Sequence, residues 1–145
     1  MKIYAQVKNF NNQTYIGINT LNDKGESYQL TVFKTENKSE EAAYLLGVKR
    51  VMAFVRNNKP LYTNARIKIY TPVASDFDFS KRIDERVTGD EYIQTALKPQ
   101  QKISHNRKAL SEEDKYQLMC AEIQINNEIF KDRMILLNKQ KGLTK

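Results

Sequence analysis

The residues of this chain that could do chemistry are few, and most are acids. Among 145 residues there is one cysteine, Cys120, and one histidine, His105. One thiol excludes an internal disulfide and a cysteine-cluster zinc site. With one imidazole besides, the usual ligands of tetrahedral zinc are missing. A Ser–His–Asp arrangement around His105 has no supporting context, and a lone histidine in a loop reads as exposed. Five glycines and no G-x-x-x-x-G-K exclude a phosphate loop. Carboxylates remain: Glu41 in NKSEEAAYLLGV (37–48), Asp76 and Asp78, and Asp114 in SEEDK (111–115). Such groups either ligate divalent cations or serve structure. For Glu41 the structural use is to meet the positive start of a helix, or a nearby Lys or Arg. Ser111 and Asp114 have capping-box spacing. No cofactor is expected.

The elements that would position these acids are legible from periodicity. In KIYAQVK (2–8), Ile3, Ala5 and Val7 alternate with Tyr4, Gln6 and Lys8, which is strand period. TYIGINTL (14–21) reads as a second strand. NDKGE (22–26) supplies turn residues, and SYQLTVFK (27–34) reads as a third strand with Tyr28, Leu30 and Val32 on one face. The three make an antiparallel meander. Ser39 caps a helix that runs to about Asn57, with Lys59-Pro60 after its end. Glu41, Leu45, Val48, Met52 and Val55 form one stripe of it. Ala42, Ala43, Leu46, Gly47, Ala53 and Phe54 lie outside that stripe, so two faces should be covered, one by the sheet and one by another helix. ARIKIYT (65–71) reads as a fourth strand, parallel to an earlier one because it follows a crossover. Residues 76–110 are polar, with short helices expected and KIS (102–104) as a brief strand. From about 112 to 138 the pattern is helical. Tyr116, Ile123, Phe130 and Leu137 recur every seven residues, with Met119 or Cys120, Asn126 or Asn127, and Met134 between them. Four heptads suffice for a coiled coil. The simpler reading is that this helix covers the second face of the 39–57 helix. NKQKGLTK should fray as a cationic tail.

The formal net charge is +7 and the pI about 9.4. The excess lies in the N-terminal half. In the C-terminal half, LKPQQKISHNRK (97–108) stands apart, with Lys98, Lys102, Arg107 and Lys108 and no acid. Such a balance permits nucleic-acid binding. No apolar run is long enough to span a membrane, and the polar N-terminus is not a signal peptide, so a cytoplasmic location is expected. The richness in Asn, Lys and Ile fits an AT-rich source such as a phage or mobile element.

Residues 2–75 resemble the ribonuclease H-like superfamily. ENKSEEAAYLLGV (36–48) is similar to that family's T-N-N-x-A-E-Y-x-A-L-x-x-G-L segment through Asn37, Glu41 and Gly47. IYAQV (3–7) and IYTPV (69–73) are similar to its I/V-x-T-D-G and I/V-x-T-D-S strands. The resemblance implies an α/β fold: three antiparallel strands, a helix, a parallel strand, and here a long C-terminal helix. It also implies a site in which a first-strand Asp, the helix Glu, a fourth-strand Asp and a C-terminal acid hold two magnesium ions. Two divalent cations about 4 Å apart need several anionic oxygens. Glu41 matches the helix Glu and Asp114 is a candidate for the last acid. Gln6 stands at the first Asp position and Pro72 at the other, so no metal site is expected, and Glu41 and Asp114 are its residue.

These readings divide the chain into a sheet-and-helix part (1–75), a basic and polar connection (76–110) and a C-terminal helix (111–145) on the same domain. The expected function is a catalytically inactive binding module for nucleic acid or a nucleic-acid-processing machine. Lys49, Arg50, Arg56, Lys98, Lys102, Arg107 and Lys108 would meet phosphates. One alternative is a protein-binding, inhibitory or structural subunit, or an oligomer formed through the C-terminal helix, that uses Tyr116, Ile123, Phe130, Met134 and Leu137. Another is a nuclease with relocated ligands such as Asp76 and Asp78.

Overall fold

The computed structural model describes residues 1–22, 24–57, 67–72, 103–106 and 108–142. The elements are β1 (Lys2–Phe10), β2 (Gln13–Leu21), β3 (Ser27–Gln29), β4 (Phe33–Glu36), α1 (Glu40–Asn57), β5 (Ile67–Tyr70), β6 (Ile103–His105) and α2 (Glu112–Gly142). The chain is α/β: a mixed sheet, a first long helix and a long C-terminal helix. Strand order is β3-β2-β1-β5-β6, with β4 also on β2.

Local chemistry explains the meander. Phe10 pairs with Gln13, so β1 and β2 are joined by Asn11 and Asn12 alone, both left-handed at φ 52° and 61°. Asn tolerates that region, and the two-residue turn it makes has the twist a hairpin needs. At the next turn the Asn22 side chain accepts hydrogen bonds from the Lys24 and Glu26 amides at 3.0 and 2.9 Å, and Gly25 takes φ 81°. The third strand is not continuous, as the sequence pattern had implied. β3 pairs with Asn19–Leu21 and β4 with Gln13–Ile16, with a break between them at residues 30–32. Tyr28 on β3 is exposed.

β5 lies parallel beside β1, with Ile3 opposite Ile69 and Tyr4 opposite Tyr70, and β6 lies parallel to β5. Strand alternation divides the sheet into two faces. Ile3, Ala5, Ile16, Ile18, Ile67 and Ile69 meet α1 through Ala43, Tyr44, Leu45, Val48 and Val51. Each such isoleucine contributes roughly 1.5–3 kcal/mol by leaving water. Gly47 belongs to this contact, since a Cβ there would lie 3.0 Å from Ile18 and 3.2 Å from Ile16.

The other face receives α2, which packs on β1 and β2. This corrects the expectation that α2 would cover the second face of the 39–57 helix. The two helices sandwich the sheet. The reason lies in the strands: Tyr4, Gln6, Lys8, Tyr15 and Asn19 project from the side opposite the isoleucines, and each has a partner on α2. Asp76, Asp78, the short helices sought in 76–102 and residues 143–145 lie outside the described residues.

Candidate functional site

The residues that the resemblance singled out sit near the α2 side of the sheet and the start of each helix. Ser39 caps α1, its Oγ accepting the Ala42 amide at 3.3 Å. Glu41 follows in the first turn, half-buried, on the helix that covers the isoleucine face. Gln6 points to the opposite face, where its Nε2 donates to the Leu118 carbonyl of α2 at 3.3 Å. Ser111 and Asp114 form the expected capping box: Ser111 Oγ accepts the Asp114 amide at 3.1 Å, and Asp114 Oδ2 accepts the Ser111 amide at 3.3 Å. The other carboxylate oxygen of Asp114 accepts the Tyr4 hydroxyl at 2.9 Å. Asp114 is buried. Burial alone would raise its pKa. The hydrogen bonds from Tyr4 and Ser111, with the Lys2 charge nearby, outweigh that and hold the carboxyl below its ordinary value. Among the described residues no three His, Cys, Asp or Glu side chains are grouped to hold a metal ion.

Around Asp114 the structure assembles groups that sequence spacing did not connect. Tyr4 and Tyr70, neighbours across the parallel pair, stack with centroids 4.8 Å apart. Lys2 and Lys68, also register partners, each hold an ammonium 5.8 Å from the Tyr70 ring centroid. Burial, then the Asp114 hydrogen bond and charge, push the Tyr4 hydroxyl far above its ordinary pKa. Burial and the Asp114 charge raise Tyr70 as well. His105 on β6, the register partner of Ile69, is buried, its Nε2 2.8 Å from Thr71 Oγ1. It is not the exposed loop histidine its context implied. Its ring is used to tie β6 to the end of β5. The parallel register of residues 2–4 with 68–70 was the signal that could have located this cluster.

The contacts continue along α2 as a polar ladder. Asn19 Nδ2 donates to Gln117 Oε1. Lys8 Nζ reaches Glu122 at 3.1 Å and Asn126 at 2.9 Å. Tyr15 donates its hydroxyl to Asp132 at 2.5 Å, and Lys34 reaches the same carboxylate at 3.1 Å. The Tyr15 hydrogen bond holds Asp132 below its usual carboxylate range, against burial and with help from Lys34. Between these rungs Leu118, Ala121 and Ile125 are buried.

Of the basic candidates, Lys49, Arg50 and Lys108 are described. Arg50 is exposed, its guanidinium 4.9 Å from the Phe33 ring centroid. Lys49 is half-buried and engaged with neighbours. Lys108 is exposed. The Arg56 side chain, and Lys98, Lys102 and Arg107 entirely, fall outside the described residues. The five seam residues behave differently. Tyr116, Ile123, Phe130, Met134 and Leu137 are all exposed. They form the side of α2 turned away from the sheet.

Comparison with known proteins adds a structural likeness. No family profile and no curated protein matches the chain. Its structure is similar to that of the prototype foamy virus protease–reverse transcriptase, with TM-score 0.52 and 13% sequence identity. The match covers 87% of this chain and 20% of that one, so the chain spans about a fifth of the viral protein's length. At that identity the likeness shows a shared fold. No described helix is long and apolar enough to cross a membrane.

Proposed function

We propose that the chain is a ribonuclease H-like module that binds nucleic acid, or a machine that processes it, without a two-metal centre of its own. The observation that carries this reading is how Gln6 and Asp114 are used. At the β1 position where the family places an Asp, Gln6 spends its amide on the Leu118 carbonyl. Asp114, the candidate for the family's C-terminal acid, has both carboxylate oxygens hydrogen-bonded, to Tyr4 and Ser111. Pro72 offers no side-chain ligand. The residues matched to the family's first-strand Asp and C-terminal acid here hold α2 to the sheet. The positive net charge and the likeness in fold to a viral protease–reverse transcriptase support nucleic acid as the ligand class. Arg50 and Lys108 are the exposed ones among the described candidates for phosphate contact, with Lys49, Arg56, Lys98, Lys102 and Arg107 as further candidates.

Fluorescence anisotropy with single-stranded DNA, duplex DNA and an RNA–DNA hybrid tests the reading. Binding should weaken as a power of salt concentration, and Arg50→Ala should reduce the log–log slope by about 1. No binding at low salt, or a flat salt response, rejects it. Incubation of the hybrid with magnesium or manganese should leave it intact. Cleavage that disappears in Glu41→Gln would reject the inactive assignment instead.

A further inference from the structure

We propose that the outer face of α2 is a self-association surface on which a second copy of the chain docks its own α2 antiparallel, about a two-fold axis passing between Asn126 and Asn127. This proposal stands independently of any nucleic-acid reading.

The starting point is that α2 carries two stripes. Asp114, Leu118, Ala121, Ile125 and Asp132 face the sheet. At about 100° per residue, Tyr116, Met119, Ile123, Phe130, Met134 and Leu137 centre on the opposite side of the helix. All six are between 42% and 64% exposed. At roughly 200 Å² for a large side chain, they present on the order of 600 Å² of apolar surface along one side of the helix. A monomer rarely leaves more than a few hundred Å² of such surface open, and one side of a standard interface buries about 800 Å².

The spacing selects the occupant. Along the chain the six residues are separated by 3, 4, 7, 4 and 3 positions. That order reads the same from either end. An isologous two-fold contact needs this property, because the same patch must meet itself reversed. In the antiparallel register Tyr116 lies level with Leu137 of the second copy, Met119 with Met134, and Ile123 with Phe130. The gap of seven at the centre is filled by Asn126 and Asn127, both exposed and brought level with each other across the axis. A central polar layer fixes register in helix pairs.

Charge follows the same symmetry. The first turn of α2 carries Glu112, Glu113 and Asp114, and its last turn carries Lys139 and Lys141. Reversal places each acidic end on the other copy's basic end, with Glu112 level with Lys141. A parallel pair would set like charges side by side. A different protein partner would require neither the palindromic spacing nor the reversed charge.

Sedimentation equilibrium on the full chain should show a species of twice the 16.9 kDa chain mass. Phe130→Glu should return it to the monomer with an unchanged circular dichroism spectrum, since Phe130 touches no core. Geometry is read by crosslinking in a Cys120→Ser background with a short bifunctional maleimide. M119C/M134C should crosslink two chains. M119C alone should not, because the two thiols would lie about 22 Å apart along the axis, 15 residues at about 1.5 Å each. A monomer at all concentrations up to about 100 µM overturns the proposal. So does a dimer that survives Phe130→Glu, or crosslinking by M119C alone, which would mean a parallel pair.

Discussion

Gly17 on β2 lies directly beneath Ile125 of α2. A Cβ at Gly17 would come within 2.7 Å of the Ala121 carbonyl oxygen and 2.8 Å of Ile125 Cγ1. The helix can lie flat across the sheet because this strand residue has no side chain. Gly17→Ala should therefore destabilise the protein by about 1–3 kcal/mol or more, the cost of overpacking against backbone that cannot turn aside. Gly47→Ala is the contrast. Its neighbours at 3.0 and 3.2 Å are the branch ends of Ile18 and Ile16, and Ala gains up to about 1 kcal/mol over Gly in a helix. That variant should stay within about 1 kcal/mol of wild type. Urea denaturation of both variants checks the pair.

Tyr4→Phe should cost about 1.5–3 kcal/mol near neutral pH, because it removes a hydrogen bond to a buried charged group. The pH dependence has a definite sign. The folded Asp114 pKa lies below its unfolded value, near 3.8. Its stabilising contribution is then fully present above about pH 5, and is lost as pH falls through the folded value. Asp132 acts in the same direction. Wild-type stability should fall in acid, and the gap between wild type and Tyr4→Phe should narrow there. Denaturation midpoints from pH 7 down to pH 2.5 measure it. A gap constant with pH would mean that Asp114 is not the acceptor.

The tyrosines give a second titration. Tyr4, Tyr15 and Tyr70 are raised above the ordinary value of 10.0. Raised folded values favour the protonated form, so stability is intact below pH 10 and declines as pH climbs above it. Absorbance at 295 nm should show these three titrating late in the native protein, together with Tyr116, which its hydrogen bond to Cys120 raises. All eight tyrosines should titrate together near pH 10 in denaturant.

Truncation before Ser111 should abolish cooperative folding rather than merely remove an interaction helix. Leu118 and Ile125 alone contribute on the order of 3–6 kcal/mol by burial. Tyr4 and Asn19 would also lose the α2 partners of their side chains. Against total stabilities of about 5–15 kcal/mol, that loss is decisive. A sigmoidal thermal unfolding curve for residues 1–110 would refute this.

Strand alternation in residues 2–8 and 14–21, the Ser39 and Ser111 caps and the helix over 40–57 were legible because each rests on local chemistry. So was a strand at 67–70 parallel to an earlier one. The broken third strand was not, because SYQLTVFK has strand composition throughout and only pairing with β2 decides where the ladder stops. The Tyr4–Tyr70–Lys2–Lys68 cluster depends on register across a crossover, which no local pattern encodes.

The sequence by itself determined that α2 is a helix, where it starts, and that it carries an apolar seam. Only the tertiary structure decided which way the seam faces. A search for apolar period finds Tyr116, Ile123 and Phe130 and takes them for the buried side. The sheet face that meets α2 offers Tyr4, Gln6, Lys8, Tyr15 and Asn19, and these select the helix's mixed stripe, in which Asp114, Gln117, Glu122 and Asp132 flank the buried Leu118, Ala121 and Ile125. Hydrogen-bond complementarity across more than a hundred residues fixed the orientation, and Gly17 made room for it. The apolar stripe was left outside, where the same spacing that resembled a core becomes a surface.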